Sequence, residues 1–164
     1  TKGRPDAGYA GIFWRGPAGF TGGEILGAGG AAGAGSAGGA LGVGGVAGAG
    51  VATDAGGPTH PVGDAARGEP APWLAFVAPD RTAGILMMDA TDAPTPAGNP
   101  WFARSAEYAG LNPAPFFHRE AVLAPGATMV LAAALIIGDA DVSSYAPSFG
   151  AELVAELRSS EASA

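Results

Sequence analysis

A tract made almost entirely of Gly and Ala limits what this chain can fold into. Residues 27–57 contain 14 Gly and 10 Ala, and they show neither helical nor strand periodicity. Gly also loses more backbone entropy than other residues when it is fixed in a helix or strand. We therefore predict that residues 27–72 form a long, flexible Gly/Ala/Pro-rich insert or loop, within a single domain that spans residues 1–164.

The rest of the chain reads as a series of short strands separated by turns. Residues 73–78 and 84–89 are apolar runs on either side of a turn at 79–82, where Asp80 can hydrogen-bond its own backbone, so they predict a hairpin. Further strand or extended segments are predicted at 8–15, 19–26, 101–105, 111–117 and 128–137. Many short strands with closely spaced turns favour a mainly β fold, a partial antiparallel β-sandwich.

The C-terminal residues have a different pattern. Residues 149–158 are amphipathic, Ser148 is suited to an N-cap, and Arg158 suits the negative end of a helix. The sequence therefore predicts one short C-terminal helix.

Composition excludes several classes of partner. The net charge is −7, and the eight basic residues are scattered among 15 acidic ones. A nucleic acid or an anionic membrane needs clustered Lys and Arg, so we expect neither as a partner. The chain has no Cys, which excludes thiol chemistry. In the uncharged stretch 25–53 the larger apolar residues are isolated among Gly and Ala, and no apolar leader follows Thr1, so we expect a cytoplasmic protein without a membrane span.

Two motifs for cofactors or metals are weak here. Residues 33–38 match the dinucleotide pattern G-x-G-x-x-G, with Asp54 downstream, but they follow no buried strand and such matches arise by chance in a Gly-rich tract. His60 and His118 could contribute to a two-His metal site, but no spacing fixes them on one face. We therefore predict no cofactor and no metal.

The best candidates for acid–base catalysis are His118 and Glu120. In a strand these two side chains would point to the same face and pair an imidazole with a carboxylate. The alternative is a polar segment at a sheet edge that has only a structural role.

Two segments place aromatic residues near an arginine. They are Trp14 with Arg15, and Trp101 with Arg104. An aromatic face beside a guanidinium suits a sugar ring that carries hydroxyl or carboxylate groups, so these four are the candidate substrate-binding residues. The alternative is that both tryptophans are core residues and both arginines are structural.

Several stretches share short motifs of aromatic residues with Gly, Pro or Arg. They are Phe-Trp-Arg-Gly-Pro within 8–17, Phe-Thr-Gly-Gly at 20–23, and segments 71–77, 99–105, 115–117 and 123–126. This set resembles a soluble bacterial family labelled "methane oxygenase PmoA" or PmoA-like, a domain of unknown function. The chain is similar to the C-terminal half of that domain. Relatives often carry a His in the loop before residue 101, but residues 92–100 of this chain contain no His.

The resemblance implies a β-rich sandwich and an association with carbohydrate metabolism, but no established activity. We expect a protein that binds or processes a small-molecule sugar or sugar acid; whether it is an enzyme stays open. One alternative is a non-catalytic module that completes a larger sandwich, which would self-associate through an open sheet edge. The other, which the family label implies, is a metal-dependent oxygenase.

Overall fold

The computed structural model describes residues 12–27, 60–91, 98–139 and 142–145, together with residues 152, 153, 155, 156 and 159. The strands in this part are β1 (Trp14–Arg15), β2 (Glu24–Gly27), β3 (His60–Pro61), β4 (Trp73–Val77), β5 (Ala83–Asp89), β6 (Trp101–Arg104), β7 (Gly110–Pro113) and β8 (Ala133–Asp139). Short 3-10 helices lie at Ala18–Phe20, Gly63–Ala66 and Ser143–Tyr145. The prediction of a mainly β fold is confirmed.

The strands form two antiparallel sheets. The smaller sheet has the order β1-β7-β6, and the larger has the order β3-β2-β4-β5-β8. The predicted hairpin is confirmed, since β4 and β5 pair from Trp73 opposite Met88 to Val77 opposite Gly84. Its turn is held as expected: Asp80 accepts hydrogen bonds from the Thr82 backbone N–H at 3.1 Å and from the Thr82 hydroxyl at 2.8 Å.

Apolar side chains are buried on both faces of the larger sheet. The first core draws on both sheets and contains Ile25, Leu74, Phe76, Ile85 and Met87 from the larger one, Trp101, Ala103 and Leu111 from the smaller one, and Ala66 and Ala109. The second core lies on the opposite face of the larger sheet and contains Leu26, Trp73, Ala75, Val77, Leu86, Met88, Ala134 and Val142. Burial of each large side chain contributes roughly 1.5–3 kcal/mol.

This double burial explains the sequence of β4. Successive residues of a strand point to opposite faces, so a strand covered on one face alternates between apolar and polar residues. Every residue of β4 is buried, and its run Trp-Leu-Ala-Phe-Val is accordingly apolar throughout.

Several predicted extended segments have different bounds in the structure. The segment predicted as a strand over 19–26 begins with a 3-10 helix at Ala18–Phe20, and its strand starts only at Glu24. Of the segment predicted over 8–15, the described residues 12 and 13 lie outside β1. The strand predicted over 128–137 begins only at Ala133, because its partner β5 ends at Asp89, which pairs with Ala133. The segment predicted over 111–117 is extended only to Pro113, the end of β7. A turn then follows, in which the Phe117 N–H donates to the Ala114 carbonyl at 2.8 Å.

Parts of the predicted insert and C-terminal helix lie outside the described residues. Residues 28–59, which include the G-x-G-x-x-G motif and Asp54, are among them. Residues 60–72 are described, and they contain β3, a 3-10 helix and bridges at Arg67 and Pro70. Residues 152, 153, 155, 156 and 159 have helical backbone, but the residues between them are not described. Gly27 and residues 60–72 thus have strand, bridge and 3-10 structure in place of the irregular loop predicted over 27–72. The rest of the insert and the helix stay predictions.

Candidate functional site

The smaller sheet separates the predicted tryptophans from the predicted arginines. Trp101 is fully buried in the first core, where its indole N–H donates to the Ala71 carbonyl at 2.7 Å. Trp14 packs against the same core, with its ring centroid 5.4 Å from that of Phe76. Arg15 is exposed and Arg104 is half-buried on the other face. The grouping of each tryptophan with an arginine in one binding surface is therefore revised, because they lie on opposite faces of the sheet.

The structure does bring the two arginines together. In β7, Gly110 pairs with Arg15 of β1 on one side and with Arg104 of β6 on the other. Paired Cα atoms in antiparallel strands are about 5 Å apart, which places the Cα atoms of the two arginines roughly 10 Å apart. The two guanidinium groups therefore flank one glycine on the outer face of the smaller sheet.

Two aromatic rings connect three guanidinium groups on this outer face. The Cζ atoms of Arg15 and Arg104 lie over the Tyr108 ring, 5.2 and 5.5 Å from its centroid. The Cζ atoms of Arg104 and Arg67 lie over the Phe102 ring, at 6.0 and 5.3 Å. All four distances are in the range of cation–π attraction. We call the row Arg15, Tyr108, Arg104, Phe102 and Arg67, in that order, the arginine ladder.

Gly110 makes room for the centre of the ladder. A Cβ atom at this position would lie 3.1 Å from the Tyr108 ring and 3.2 Å from the Phe13 ring. Carbon atoms prefer separations of about 3.5–4.0 Å, so a larger residue would push the Tyr108 ring away from the sheet. The absence of a side chain at Gly110 thus allows the ring to reach both flanking arginines.

Hydrogen bonds fix the turn that carries Tyr108. Asp64 accepts from the Ser105 backbone N–H at 2.7 Å and from the Ser105 hydroxyl at 2.8 Å. The Ser105 carbonyl accepts from the Gly22 N–H at 2.8 Å. These bonds tie the turn to two other segments of the chain, so the Tyr108 ring is held over β7 by groups distant in sequence.

The ladder is a concentration of positive charge on an acidic protein. Glu107 forms an ion pair with Arg104. Within the described part of the chain, Arg15 and Arg67 have no carboxylate partner. The ladder therefore carries three positive charges and one paired negative charge, whereas the whole chain has a net charge of −7.

His118 lies at the Arg67 end of the ladder. Its Nε2 is 2.7 Å from the carbonyl oxygen of Gly68, the residue after Arg67. Because a carbonyl only accepts, Nε2 carries the hydrogen, and in the neutral ring the lone pair is on Nδ1. Gly68 has φ +85°, and a Cβ atom there would lie 2.9 Å from the Phe117 ring. The left-handed glycine thus permits the close approach of Phe117 and His118.

The structure does not assemble the predicted pair of His118 and Glu120. The chain bends at 117–119 and residue 120 is outside any strand, so the premise that both side chains point to one face of a strand is wrong. Glu120 is exposed, and neither a hydrogen bond nor an ion pair between these two described residues is present. The His60 side chain lies outside the description, so its pairing with His118 stays untested.

Arg67, Phe102 and Tyr108 were not among the predicted site residues. Phe102 could have been predicted, because it is two residues from Arg104 in a predicted strand and residues two apart share a face. Tyr108 reaches the ladder from the turn that follows β6. Arg67 reaches it through its β-bridge to Trp101. No local sequence pattern predicts either contact.

Two further properties bear on function. No cluster of three His, Asp or Glu side chains that could hold a metal ion occurs among the described residues. Across the same described ranges, no helix has the length and apolar character to cross a membrane.

Comparison with known proteins places the chain in a family. No curated protein and no solved structure matches the chain. Residues 2–146 match the family described as "Family of unknown function (DUF6807)". That description names no activity, so the PmoA-like resemblance stays a prediction. Because the match covers most of its length, this chain belongs to the DUF6807 family of unknown function.

Proposed function

We propose that the arginine ladder binds a carbohydrate-related small molecule through a carboxylate group, and that a sugar acid is its ligand. The observation that carries this proposal is the row of three guanidinium groups lying over two aromatic rings. Such a row offers several planar N–H donors on one face of a sheet. Arginine forks match the geometry of a carboxylate and form paired hydrogen bonds with it.

Contact with the aromatic rings prepares these arginines for binding. A guanidinium group attracted to a ring face still has N–H groups at its edge that can donate to a ligand. A side chain that is already immobilised also loses less rotational freedom when a ligand binds, a cost of about 0.5–1.5 kcal/mol for each flexible side chain. Arg15 and Arg67 are exposed, so a ligand can reach both ends of the ladder.

The same arrangement favours an acid over a neutral sugar. Recognition of a neutral sugar usually uses the open face of an aromatic ring, but guanidinium groups already lie over Tyr108 and Phe102. Both tryptophans predicted to bind the sugar face the core instead. The hydrogen bonds offered by the ladder are those of charged donors, which are roughly twice as strong as neutral ones.

His118 is our candidate for proton transfer to or from a bound ligand. Its ring is oriented by the Gly68 carbonyl, and the lone pair on Nδ1 is the group that could accept a proton. Glu120 would have to move towards this ring to act with it. A role for either residue stays a proposal that depends on binding at the ladder.

We also propose that the two sheets are the layers of a β-sandwich. The support is the first core, which contains side chains from both sheets. In this arrangement the ladder lies on the outer surface of the thinner layer. The cytoplasmic location and the relation to sugar metabolism stay predictions.

A matched pair of ligands tests the proposed function. Glucuronate and glucose share a ring and differ in one carboxylate, so each is added to the purified chain and the melting temperature is recorded. We expect glucuronate to raise the melting temperature and glucose to leave it unchanged. Equal shifts, or no shift with any sugar acid on a protein shown to be folded, would contradict the proposal.

Two arginine variants localise the effect. Arg104→Gln removes a charge from the ladder, and Arg81→Gln removes the same charge from an exposed ion pair with Glu24. The shift caused by glucuronate should be lost in the first variant and kept in the second. The oxygenase hypothesis is tested separately by elemental analysis, where iron or copper at one equivalent per chain would favour it over simple binding.

A further inference from the structure

The strand β8 is an edge of the larger sheet in the described part of the chain. It pairs with β5 along its whole length, from Ala133 opposite Asp89 to Asp139 opposite Ala83. On its other side no strand of the described residues pairs with it. An edge strand presents a row of backbone N–H and C=O groups that can pair with another strand.

β8 lacks the features that normally prevent such pairing. Edge strands are usually short, or they carry Pro, charges or bulges. The other edges of the two sheets follow this rule: β1 and β3 have two residues each, β3 contains Pro61, and β6 contains Arg104. β8 has seven residues, Ala-Ala-Leu-Ile-Ile-Gly-Asp, with a single charge at its end.

Apolar side chains are exposed along the same strand. Ala134 and Ile136 contact the second core, whereas Leu135 and Ile137 point to the opposite face, where they are 39% and 77% exposed. Exposed apolar side chains along an edge strand are typical of an interaction surface.

We propose that a second copy of this chain covers this edge, through antiparallel pairing of β8 with β8 about a two-fold axis at Ile136. In this register Leu135 of each copy lies opposite Ile137 of the other. The four exposed side chains would form one apolar cluster, and the two larger sheets would become one continuous sheet. A two-fold interface needs a surface complementary to itself, and β8 has this property.

The charges of the strand agree with the same register. Asp139 of one copy lies opposite Ala133 of the other, so the two carboxylates are at opposite ends of the paired strands. Six residues of strand separate them by roughly 20 Å. That distance exceeds the Debye length of about 8 Å at physiological ionic strength, so their repulsion is screened. A parallel pairing in register would instead place the two Asp139 carboxylates side by side.

The absence of Cys in the natural chain allows the register to be tested directly. Leu135→Cys and Ile137→Cys are made as separate proteins, and each is oxidised alone and in an equal mixture. Opposite Cα atoms lie about 4.5–5.5 Å apart, within disulfide range, whereas identical positions in the two copies are about 8 Å apart and outside it. We expect a cross-linked dimer from the mixture and little from either protein alone. Equal cross-linking of the single proteins, or none from the mixture, would overturn the proposed register.

The mass in solution tests the interface itself. Light scattering should give twice the monomer mass of 15.8 kDa, and Ile137→Lys should weaken the dimer by about tenfold or more, because lysine protects strand edges. Val122→Lys is the matched control, since Val122 is 94% exposed outside the strand. A monomer at all concentrations, or a dimer that only Val122→Lys disrupts, would overturn the proposal. None of these variants alters the ladder, so failure of the dimer and failure of ligand binding are distinguishable.

Discussion

Replacement of Tyr108 by Leu should uncouple the two arginines that flank Gly110. The ring is within 5.2 Å of the Arg15 Cζ atom and 5.5 Å of the Arg104 Cζ atom. Leucine keeps an apolar side chain at this position but removes the ring face. The change therefore removes the attraction between the ring and the two guanidinium groups.

The expected magnitude follows from the two contacts. A cation–π contact at an exposed site contributes about 0.5–1 kcal/mol, so Tyr108→Leu should lower the free energy of unfolding by about 1–2 kcal/mol through these contacts. In a double-mutant cycle, Tyr108→Leu and Arg15→Gln should show a coupling energy of about 0.5–1 kcal/mol. Tyr108→Phe retains the ring and should retain most of that coupling.

Urea unfolding followed by circular dichroism provides the free energies. The control cycle combines Tyr108→Leu with Arg81→Gln, because Arg81 pairs with Glu24 in the other sheet, and its coupling should be zero within error. If the cycle with Arg15 gave the same value as this control, the ladder would be a set of neighbours without mutual attraction.

Three further predictions concern the surroundings of the ladder. Gly68→Ala should destabilise the protein by about 1–3 kcal/mol more than Gly63→Ala: both residues have positive φ, but only at Gly68 does the new Cβ atom meet Phe117 and His118, and urea unfolding measures the difference. Trp101→Phe should lower the free energy of unfolding by about 1–3 kcal/mol, since it leaves the half-buried Ala71 carbonyl without its donor, yet it should not alter the thermal shift caused by glucuronate. The hydrogen bonds from Thr82 hold the pKa of Asp80 below its ordinary value. A lowered pKa in the folded state contributes stability at neutral pH that is lost as the pH falls through that pKa. Asp80→Asn should therefore reduce the loss of unfolding free energy between neutral and acid pH, and an unchanged loss would contradict this.

The sequence predicted the local elements of the fold well. The β4–β5 hairpin and its Asp80 turn depend on neighbouring residues, because apolar runs and turn chemistry act over a few positions. The start of β8 could not be predicted in the same way. Residues 128–132 are about as apolar as the residues of β8. The strand begins at Ala133 because its partner ends at Asp89.

The candidate site was predicted in part, for a related reason. Arg15 and Arg104 were identified, and the structure places both beside Gly110. Their tryptophan neighbours were assigned to the same surface, although adjacent residues of a strand face opposite ways. The alternation of side chains along a strand could have corrected that assignment from the sequence. The contact of Arg15 with Tyr108 joins residues far apart in the chain, so it depends on pairing of β1 with β7 that no local pattern encodes.

The arginine side chains themselves provide the most direct test of the ladder as a carboxylate site. In nuclear magnetic resonance spectra, the Nε–H signals of Arg15, Arg67 and Arg104 are followed while glucuronate is added, with glucose as the neutral control. We predict that these three signals shift together and saturate with glucuronate, while Arg81 does not move and glucose has no effect. Shifts confined to arginines outside the ladder, or equal shifts with both sugars, would contradict the proposal that the ladder recognises a sugar acid.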